Sequence, residues 1–575
     1  VANNRVTIAD ATDSDSDGLI SDETTATVTT STTNTNSIIT GSASKDTVTI
    51  QSSGTAAHNI NLGAADDTIT AANLLAADDT IAGGAGTDTL KVGNVAFDMT
   101  LLTNISGFEV IENNVGTVTL TDAIMASAFD NSVTLNETGA DSVLTINAAV
   151  SSGKTVTLGE AGSFTTAGNS RVTIAAEADS DADGLQSDES TEVVTLGAGD
   201  DIITGSISKD TVTLSAGDDN VSLLGGDDTI NVADANLDGF HTVDGGAGTD
   251  TLQLVAADAD TLADNDFTGF TNVETLAAVS NVALDAVIDD KALAAGLVTF
   301  NGSSGNDDFT FGANYTGNAV VTGNAGDDTV TATNIASTST LNVTTTTGAD
   351  TILSGAGAAT ISSGNGIDII TIGTGAVNYT GGTGATTLNA SNGDLTSADT
   401  LTFAGGADII NFDDATTIVD AAFTNVSGLK KITVTGANAL NLTAGTEALD
   451  AGLVTVVGST GADTLTFSGT TAFDIDGNGG ADTITGGDGA DTILGGGGAS
   501  HVAGGKGNDQ ITLEDGGRAV FAATGALNGT DTLVSFTVAD EKLDFSAFFG
   551  TLSASYHGTT SIAVASEIGR ASCRE

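Results

Sequence analysis

Three aspartates near the C-terminal end of the chain occupy the same place in consecutive nine-residue units. The units cover residues 477–485, 486–494, 495–503 and 504–512 and read GNGGADTIT, GGDGADTIL, GGGGASHVA and GGKGNDQIT. Their sixth positions are Asp482, Asp491, Ser500 and Asp509. A carboxylate supplies the hard, charged oxygen that Ca²⁺ prefers in its flexible shell of about 6–8 oxygens. The spacing therefore predicts a series of calcium-binding turns.

The two halves of each unit predict different backbone structure. The glycine-rich half suits a tight turn, because glycine tolerates positive φ and leaves carbonyl oxygens accessible to a cation. The second half alternates polar and apolar residues, which is typical of a very short strand with its apolar residue facing inward. That apolar position holds Ile484, Ile493, Val502 and Ile511. A flexible glycine-rich linker is the alternative, but the strict nine-residue phase argues against it.

The template G-G-x-G-x-D-x-U-x, in which U is a large apolar residue, resembles the RTX (repeats-in-toxin) calcium-binding family. The resemblance implies an all-β fold of repeated right-handed parallel β-roll or β-solenoid modules, with Ca²⁺ in the turns and short packed β segments between modules. It also implies that successive units form opposite sides of a roll. Aspartates two units apart would then share an ion between stacked turns.

Degraded copies of the unit extend the pattern through much of the chain. Residues 196–231 contain four units in phase, and residues 345–389 contain five, of which two keep the aspartate on one edge of the roll. Isolated copies and two GGAGTDTL segments add further examples. The candidate metal ligands outside the C-terminal block are Asp88, Asp201, Asp210, Asp219, Asp228, Asp250, Asp307, Asp328, Asp350, Asp368 and Asp463.

A second metal-ligand pattern is DSDSDG at residues 13–18 and DSDADG at residues 179–184. Alternate carboxylates followed by glycine form the opening of an EF-hand-type calcium loop. The bidentate glutamate normal at position 12 is replaced by Thr24 or Ser190, and the flanks favour strands, so a calcium loop between β elements fits better. An acidic solvated turn is the alternative. The candidate ligands are Asp13, Asp15, Asp17, Asp179, Asp181 and Asp183.

Composition limits the class of partner. The 75 acidic residues exceed the 14 basic ones and give a net charge of −61, which argues against nucleic acid or an anionic membrane surface. A hydrophobic fraction of 39% is too high for an acidic disordered tail. No apolar run is long enough to predict a transmembrane segment. The only cysteine is Cys573, so disulfides are not expected to contribute.

Long segments also recur: residues 5–23 return as residues 171–189, and residues 292–311 return as residues 448–467. Such modules are expected to contact mainly their neighbours. The predicted division is β-rich repeat modules at residues 1–165, 166–310 and 311–457, a nonapeptide β-roll at 458–516 and a C-terminal flank at 517–566. We interpret residues 567–575 as translated sequencing-adapter DNA and the chain as a fragment at both ends. Segments of another composition, residues 105–112, 267–274 and 423–434, are predicted to anchor hydrophobic cores.

No catalytic motif is visible in the sequence, so we predict that this chain is not an enzyme. It contains no H-E-x-x-H, no G-x-S-x-G and no Walker A loop. Residues 531–549 resemble the stretch that follows the last repeats in type I-secreted proteins. That resemblance implies export by the type I secretion machinery to the cell surface or the extracellular medium, where millimolar Ca²⁺ would fold the acidic rolls.

The leading hypothesis is an extracellular structural protein of a Gram-negative bacterium, an S-layer-like or adhesin fragment. Its partners would be Ca²⁺ and either other copies of itself or a cell-surface polysaccharide. The alternative is the calcium-binding portion of a secreted protease, lipase or epimerase whose catalytic domain is missing. A third hypothesis, an ice- or mineral-binding solenoid, draws on the many T-x-T triplets and requires a regular, flat threonine array.

Overall fold

The computed structural model divides the chain into two compact units. The first comprises Val1–Val279 and Lys291–Leu297, and the second comprises Ser280–Asp290 and Val298–Glu575. The residues that the structure describes are 4–12, 20–25, 27–30, 36–51, 56–71, 74–93, 103–113, 116–137, 144–148, 150, 154–159, 163–166, 169–175, 190–237, 239–256, 262–279, 283–413, 416–514, 516–521, 529–535, 540–544 and 572–573.

Short strands form because apolar residues alternate with threonine and other polar residues. In the strand Thr229–Ala233, for example, Ile230 and Val232 are buried while the residues on either side of each are partly exposed. Successive side chains of a strand point to opposite faces, so this alternation directs one face inward. β-branched residues suit such half-buried pleated surfaces. The predicted period of two is therefore confirmed at the strands.

Three ladders of parallel strands build the first unit. Ladder 1A consists of Asn4–Thr7, Ser37–Ser42, Asn59–Ala64, Thr80–Ala85 and Ile105–Ser106. Ladder 1B consists of Val28–Thr29, Thr47–Thr49, Thr68–Thr70, Thr89–Gly93, Val110–Asn113, Ser132–Glu137, Thr155–Gly159, Arg171–Ile174, Ile202–Thr204, Asn220–Ser222, Thr242–Asp244 and Phe270–Thr271. Ladder 1C consists of Gly116–Leu120, Leu144–Ala148, Ser163–Thr166, Ser190–Thr195, Lys209–Thr213, Thr229–Ala233, Thr251–Ala256 and Thr275–Ala278.

Three further ladders build the second unit. Ladder 2A consists of Asp285–Ile288, Asp308–Phe311, Thr329–Thr331, Thr351–Leu353, Asp368–Thr371, Thr386–Ala390, Ile409–Phe412, Lys431–Val434, Thr455–Val457, Asp474–Asp476, Thr492–Leu494, Gln510–Thr512, Thr532–Val534 and Ser572–Cys573. Ladder 2B consists of Thr299–Asn301, Ala319–Ala325, Thr340–Thr347, Ala358–Gly364, Val377–Gly381, Thr400–Thr402 and Val426–Ser427. Ladder 2C consists of Thr416–Ile418, Leu440–Ala444, Thr464–Phe467, Thr483–Gly487, His501–Gly505, Arg518–Val520 and Lys542–Asp544.

Each unit is an all-β parallel β-solenoid. Consecutive strands mostly alternate between two ladders, and a strand pairs in parallel with the strand two places along the chain, as in the pairs Thr211↔Thr229 and Thr483↔His501. Two strands and their two turns therefore make one coil. Between residues 400 and 444 the chain passes from ladder 2B to ladder 2C, and there the paired strands are three places apart. Aliphatic residues fill the narrow interior, and an aromatic cluster in the second unit places the Phe300 and Phe311 rings 5.3 Å apart. The predicted β-solenoid fold is confirmed.

Helices are few and short. The α-helices are Asp122–Ala128, Asp290–Ala295 and Thr446–Ala451, and the 3₁₀ helices are Asp234–Asn236, Asp264–Phe267 and Asp420–Phe423. Gly452, with φ +96°, ends the last α-helix in the left-handed conformation that glycine favours at this position. None of the helices that the structure describes combines the length and the hydropathy that crossing a bilayer requires.

The segments predicted to anchor cores do so from within the ladders. Phe108 and Ile111 in the first segment, Val273 in the second and Leu429 in the third are fully buried. We expected these segments to lie between the β-rolls. The structure instead makes them coils of the solenoid: the strand Val110–Asn113, for instance, pairs in parallel on both sides.

The outward positions of ladder 2B form two uncharged columns. The strand register aligns Asn301, Thr322, Thr344, Ser362, Thr380, Thr402 and Ser427 in one column. It aligns Thr299, Val320, Asn342, Thr360, Asn378 and Thr400 in the other. The threonines are therefore ordered in space even though their sequence spacing is irregular.

Candidate metal sites in the acidic turns

Aspartates at the end of the glycine-rich turns stack in rows, one residue from each coil. Rows 1 to 3, in the first unit, are Asp46–Asp67–Asp88–Glu109, Asp201–Asp219–His241 and Asp210–Asp228–Asp250–Glu274. Rows 4 to 6, in the second unit, are Asp307–Asp328–Asp350–Asp368, Asp463–Asp482–Ser500 and Asp491–Asp509–Asp531. Successive members are 18 to 24 residues apart, so each coil contributes one member.

One hydrogen bond defines every row. The backbone N–H of each member donates to the side chain of the next, at 2.8 Å from Asp210 to Oδ1 of Asp228 and at 2.9 Å from Asp491 to Oδ1 of Asp509. The turn directs this N–H away from the strand ladder. A carboxylate from the following coil therefore satisfies a buried donor that would otherwise cost free energy.

The first glycine of the template makes room for the aspartate. A Cβ placed on Gly477 would lie 2.6 Å from Oδ2 of Asp482, and one on Gly486 would lie 2.5 Å from Oδ2 of Asp491. Both distances are too short for a real contact. The spacing G-x-x-x-x-D therefore reflects packing of the carboxylate directly on the glycine backbone, five residues earlier.

The second carboxylate oxygen is left without a partner in many turns. Among the described residues, Oδ2 is buried and accepts no hydrogen bond in Asp67, Asp88, Asp219, Asp228, Asp250, Asp328, Asp350, Asp408, Asp491 and Asp509. Buried polar atoms are normally satisfied, because leaving one unpaired is costly. These oxygens are anionic and hard, which is the chemistry of a ligand for Ca²⁺.

Burial makes ionisation of these groups difficult. Burial, together with the neighbouring Asp210 and Asp250 carboxylates, raises the pKa of Asp228 to about 8. Burial likewise raises the pKa of Asp67, Asp328 and Asp491 to about 7. A cation between the coils would reverse both causes, since it compensates the lost hydration and separates like charges.

Row 2 ends on a histidine in place of the aspartate. His241 is buried, its Nε2 lies 2.7 Å from the carbonyl oxygen of Asn236, and its Nδ1 lies 3.3 Å from the backbone N of Asp219. A proton on Nε2 satisfies that carbonyl and leaves Nδ1 to accept the Asp219 N–H. The histidine therefore performs the capping function of an aspartate without its negative charge.

The structure brings most of the sequence-predicted ligands together in these rows. Every predicted aspartate from Asp88 to Asp509 that lies in the described residues belongs to one of the six rows. Asp350 and Asp368 are successive members of row 4, as expected for aspartates two units apart. The DSDSDG and DSDADG candidates, Asp13, Asp15, Asp17, Asp179, Asp181 and Asp183, lie outside the described residues.

Sequence reasoning missed several members. Asp46, Asp67 and Asp531 lie in rows, and Asp408 caps the N–H of Thr386 at 2.9 Å. Each keeps the D-x-U half of the unit while the glycine half is altered, so the D-x-U half alone was the usable signal. Glu109 and Glu274 end rows 1 and 3 by capping Asp88 and Asp250 through their longer side chains.

The family model described as RTX calcium-binding nonapeptide repeat (4 copies) matches residues 75–94, 195–230, 314–334, 342–370 and 476–511. The chain contains RTX calcium-binding repeats. The matched ranges include the described turns of Asp88, Asp228, Asp328 and Asp491, all of which have an unpaired Oδ2. No curated protein and no solved structure matches the chain.

The residues of the RTX repeats fit the ion that the family binds. Five of the six rows, all except row 5, provide stacked carboxylates with buried oxygens that lack a donor. No three acidic, histidine or cysteine side chains converge in the part of the chain that the structure describes. An ion in these turns would therefore complete its shell with main-chain carbonyl oxygens or water.

We predict that Asp491→Ala weakens calcium binding more than Ser500→Ala. The first variant removes a buried anionic oxygen and the cap of the Phe473 N–H, whereas Ser500 supplies only a neutral hydroxyl to Asp482. The loss at the Asp491 turn should be at least the roughly 10-fold that removing an outer-shell partner causes. Calorimetric Ca²⁺ titration measures both variants. Equal affinities would show that the unit phase is wrong.

We also predict that the calcium-free protein is more stable at pH 5 than at pH 8. The folded pKa of buried row aspartates is raised above the unfolded value of about 3.9. Their favourable contribution is thus complete below that value, and it is lost as the pH rises through about 7 to 8. Urea unfolding of calcium-depleted protein at the two pH values tests this, with calcium-loaded protein as the control. Greater stability at pH 8 without calcium would contradict it.

Proposed function

We propose that this chain is a calcium-dependent extracellular structural protein, an S-layer-like or adhesin fragment that folds when Ca²⁺ fills its acidic turns. The observation that carries the proposal is the set of buried, unpaired Oδ2 atoms repeated from coil to coil. A protein that carried these carboxylates for solubility alone would expose them to water.

Electrostatics explains why the cation controls folding. Carboxylates in neighbouring coils are separated by about one strand spacing, roughly 4.8 Å. Two unit charges that far apart repel by roughly 3–4 kcal/mol at an effective dielectric constant of about 20. Repeated along several rows, such repulsion opposes stacking of the coils. Bound Ca²⁺ would supply positive charge between the turns and bind successive coils to each other.

The proposed dependence of folding on Ca²⁺ also bears on where the protein is located and how it is exported. A cell holds cytosolic Ca²⁺ low, so the acidic coils would stay unfolded for export and fold in a calcium-rich exterior. RTX repeats and the segment at residues 531–549 both support export by a type I system. We therefore place the protein at the cell surface or in the medium, with Ca²⁺ and further copies of itself or a surface polysaccharide as partners.

The architecture supports a structural role over an enzymatic one. The described coils stack through parallel strands, and their repeated polar clusters are the capping rows. The alternative remains that the chain is the RTX portion of a secreted protease, lipase or epimerase. Self-association separates the two proposals, because a building block must assemble whereas an enzyme appendage need only fold.

We predict that Ca²⁺ induces β structure cooperatively and that Mg²⁺ does not. Mg²⁺ requires a tighter octahedral shell and gives up its water reluctantly, so it suits these adaptable turns poorly. Circular dichroism of chelator-treated protein during titration with either ion measures the transition. A spectrum that Ca²⁺ leaves unchanged would remove the basis of the proposal.

We further predict that the folded chain assembles with Ca²⁺ and stays monomeric in chelator. At a net charge of −61 two molecules repel strongly, and bound calcium lowers that charge while ordering the surfaces that can pair. Light scattering against Ca²⁺ concentration, with Mg²⁺ as control, follows the change. A chain that folds with Ca²⁺ but remains monomeric at high concentration would favour the enzyme-appendage alternative.

A further inference from the structure

Eleven of the described acidic turns fall into two geometries that differ at the residue four positions before the aspartate, whereas the turns of Asp219, Asp350 and Asp408 have an unpaired Oδ2 without a left-handed residue at that position. In the first, which we call open turns, that residue has a left-handed φ and the aspartate Oδ2 has no donor. Asn324, with φ +67°, precedes Asp328 in this way, and Gly487, with φ +117°, precedes Asp491. The open turns are those of Asp67, Asp88, Asp228, Asp250, Asp328, Asp491 and Asp509.

In the second geometry, which we call closed turns, the residue four positions before the aspartate is a serine outside the left-handed region. Its backbone N–H donates to Oδ2, at 2.7 Å from Ser459 to Asp463 and at 2.9 Å from Ser303 to Asp307. The closed turns are those of Asp46, Asp210, Asp307 and Asp463, preceded by Ser42, Ser206, Ser303 and Ser459.

The serine hydroxyl holds the closed turn in place. Oγ of Ser303 accepts the N–H of Gly305 at 2.8 Å, and Oγ of Ser459 accepts the N–H of Gly461 at 2.9 Å. Such local hydroxyl-to-backbone bonds stabilise a turn of their own. In the open turn of the next coil Gly326, the counterpart of Gly305, has φ +131°. The serine therefore keeps the glycine out of the conformation that the open turn uses.

Closed turns satisfy the carboxylate with protein donors. Asp463 receives the Leu440 N–H on Oδ1, the Ser459 N–H on Oδ2 and the Ser459 hydroxyl on Oδ1, all at 2.7 Å. Donors of this kind stabilise the charged form directly. A carboxylate engaged on both oxygens gains less from a cation than one with a bare buried oxygen.

Each closed turn is also the first acidic turn of its row. Asp46, Asp210, Asp307 and Asp463 begin rows 1, 3, 4 and 5. An open turn follows directly in rows 1, 3 and 4, and in row 5 Asp482 follows, whose Oδ2 accepts the Ser500 hydroxyl at 3.4 Å. The first turn of a row has an acidic neighbour on only one side. At the first turn of a row, the serine N–H and hydroxyl would stabilise the charge of the carboxylate. Between two stacked carboxylates, a bound ion would do the same.

We infer that the sequence G-S-x-x-x-D forms a metal-independent turn and that its serine determines where rows 1, 3, 4 and 5 begin; rows 2 and 6 begin with Asp201 and Asp491 and lack this motif. The inference rests on the proposed binding of Ca²⁺ by the open turns. Serine position alone is not sufficient: Ser215 precedes Asp219 by four residues, but its hydroxyl donates to the Gly197 carbonyl oxygen at 2.6 Å instead of accepting a turn N–H, and Oδ2 of Asp219 lies 3.4 Å from Nδ1 of His241. The glycine at the start of the motif is also missing there, since residue 214 is leucine.

Two neighbouring turns provide a reciprocal test in the full chain. Residues 302–307 read GSSGND and form a closed turn, and residues 323–328 read GNAGDD and form the open turn of the next coil. The variants Ser303→Asn and Asn324→Ser exchange the deciding residue. The pair Ser459→Asn and Asn478→Ser repeats the exchange in row 5, where Asn478 has φ +63° and Oδ2 of Asp482 accepts the hydroxyl of Ser500 at 3.4 Å but no backbone N–H.

The number of ions bound per chain at saturating Ca²⁺ is measured by equilibrium dialysis with radioactive calcium. We expect Ser303→Asn to gain about one ion, Asn324→Ser to lose about one, and the double exchange to bind as many as the wild type. Circular dichroism in Ca²⁺ confirms folding, and the row 5 pair replaces the row 4 pair if a variant fails to fold.

The outcomes separate the inference from the function on which it rests. A wild-type chain that binds no Ca²⁺ defeats the proposed function itself. If the wild type binds Ca²⁺ and the folded single variants bind the same number of ions, the role assigned to serine is wrong and the proposed function stands. An ion lost in Ser303→Asn would reverse the assignment of the two geometries and equally overturn the inference.

Discussion

A turn N–H that the strand ladders cannot reach is the constraint around which this solenoid is built. Each coil reverses the chain at two turns. In the acidic turns, the N–H of the row residue points along the axis of stacking. An aspartate from the adjoining coil accepts that bond, as Asp228 does for Asp210. One carboxylate oxygen is thereby committed to the backbone, and the other is forced into the interior. The cation that we propose for these turns would bind this second oxygen, so its site would be a consequence of how the backbone is satisfied.

This constraint explains which parts of the molecule the sequence predicts well. The D-x-U half fixes both the capping aspartate and the inward apolar residue, so parallel coils and stacked acidic turns follow from the nine-residue phase. The positions of Asp482, Asp491 and Asp509 in stacked turns could be predicted from this phase without further information. The glycine half is less informative, because Asp67 and Asp531 keep their places in rows although that half is altered. Predictions that required the whole template therefore missed real members.

Other features depend on contacts that a nine-residue template does not contain. Glu109, Glu274 and His241 end their rows with side chains of different length or charge, and only the position of the neighbouring N–H reveals their role. Row members are 18 residues apart in some places and 24 in others, because extra residues are accommodated outside the strands. The two outward columns of ladder 2B thus stay aligned where the sequence looks irregular, and among its described pairs the register shifts only after Thr322 and after Ser362. The difference between serine-closed and open turns likewise depends on φ at a single residue.

The row hydrogen bonds all run in one direction, and this has a consequence for how the chain is made. The carboxylate that completes a coil always belongs to the coil that follows it in the sequence: Asp67 completes the turn of Asp46, and Asp88 completes that of Asp67. During synthesis, each coil leaves the ribosome before the residue that will cap it. The newest coil is therefore always uncapped, and this acts together with the low cytosolic Ca²⁺ proposed above to keep the chain unfolded until export.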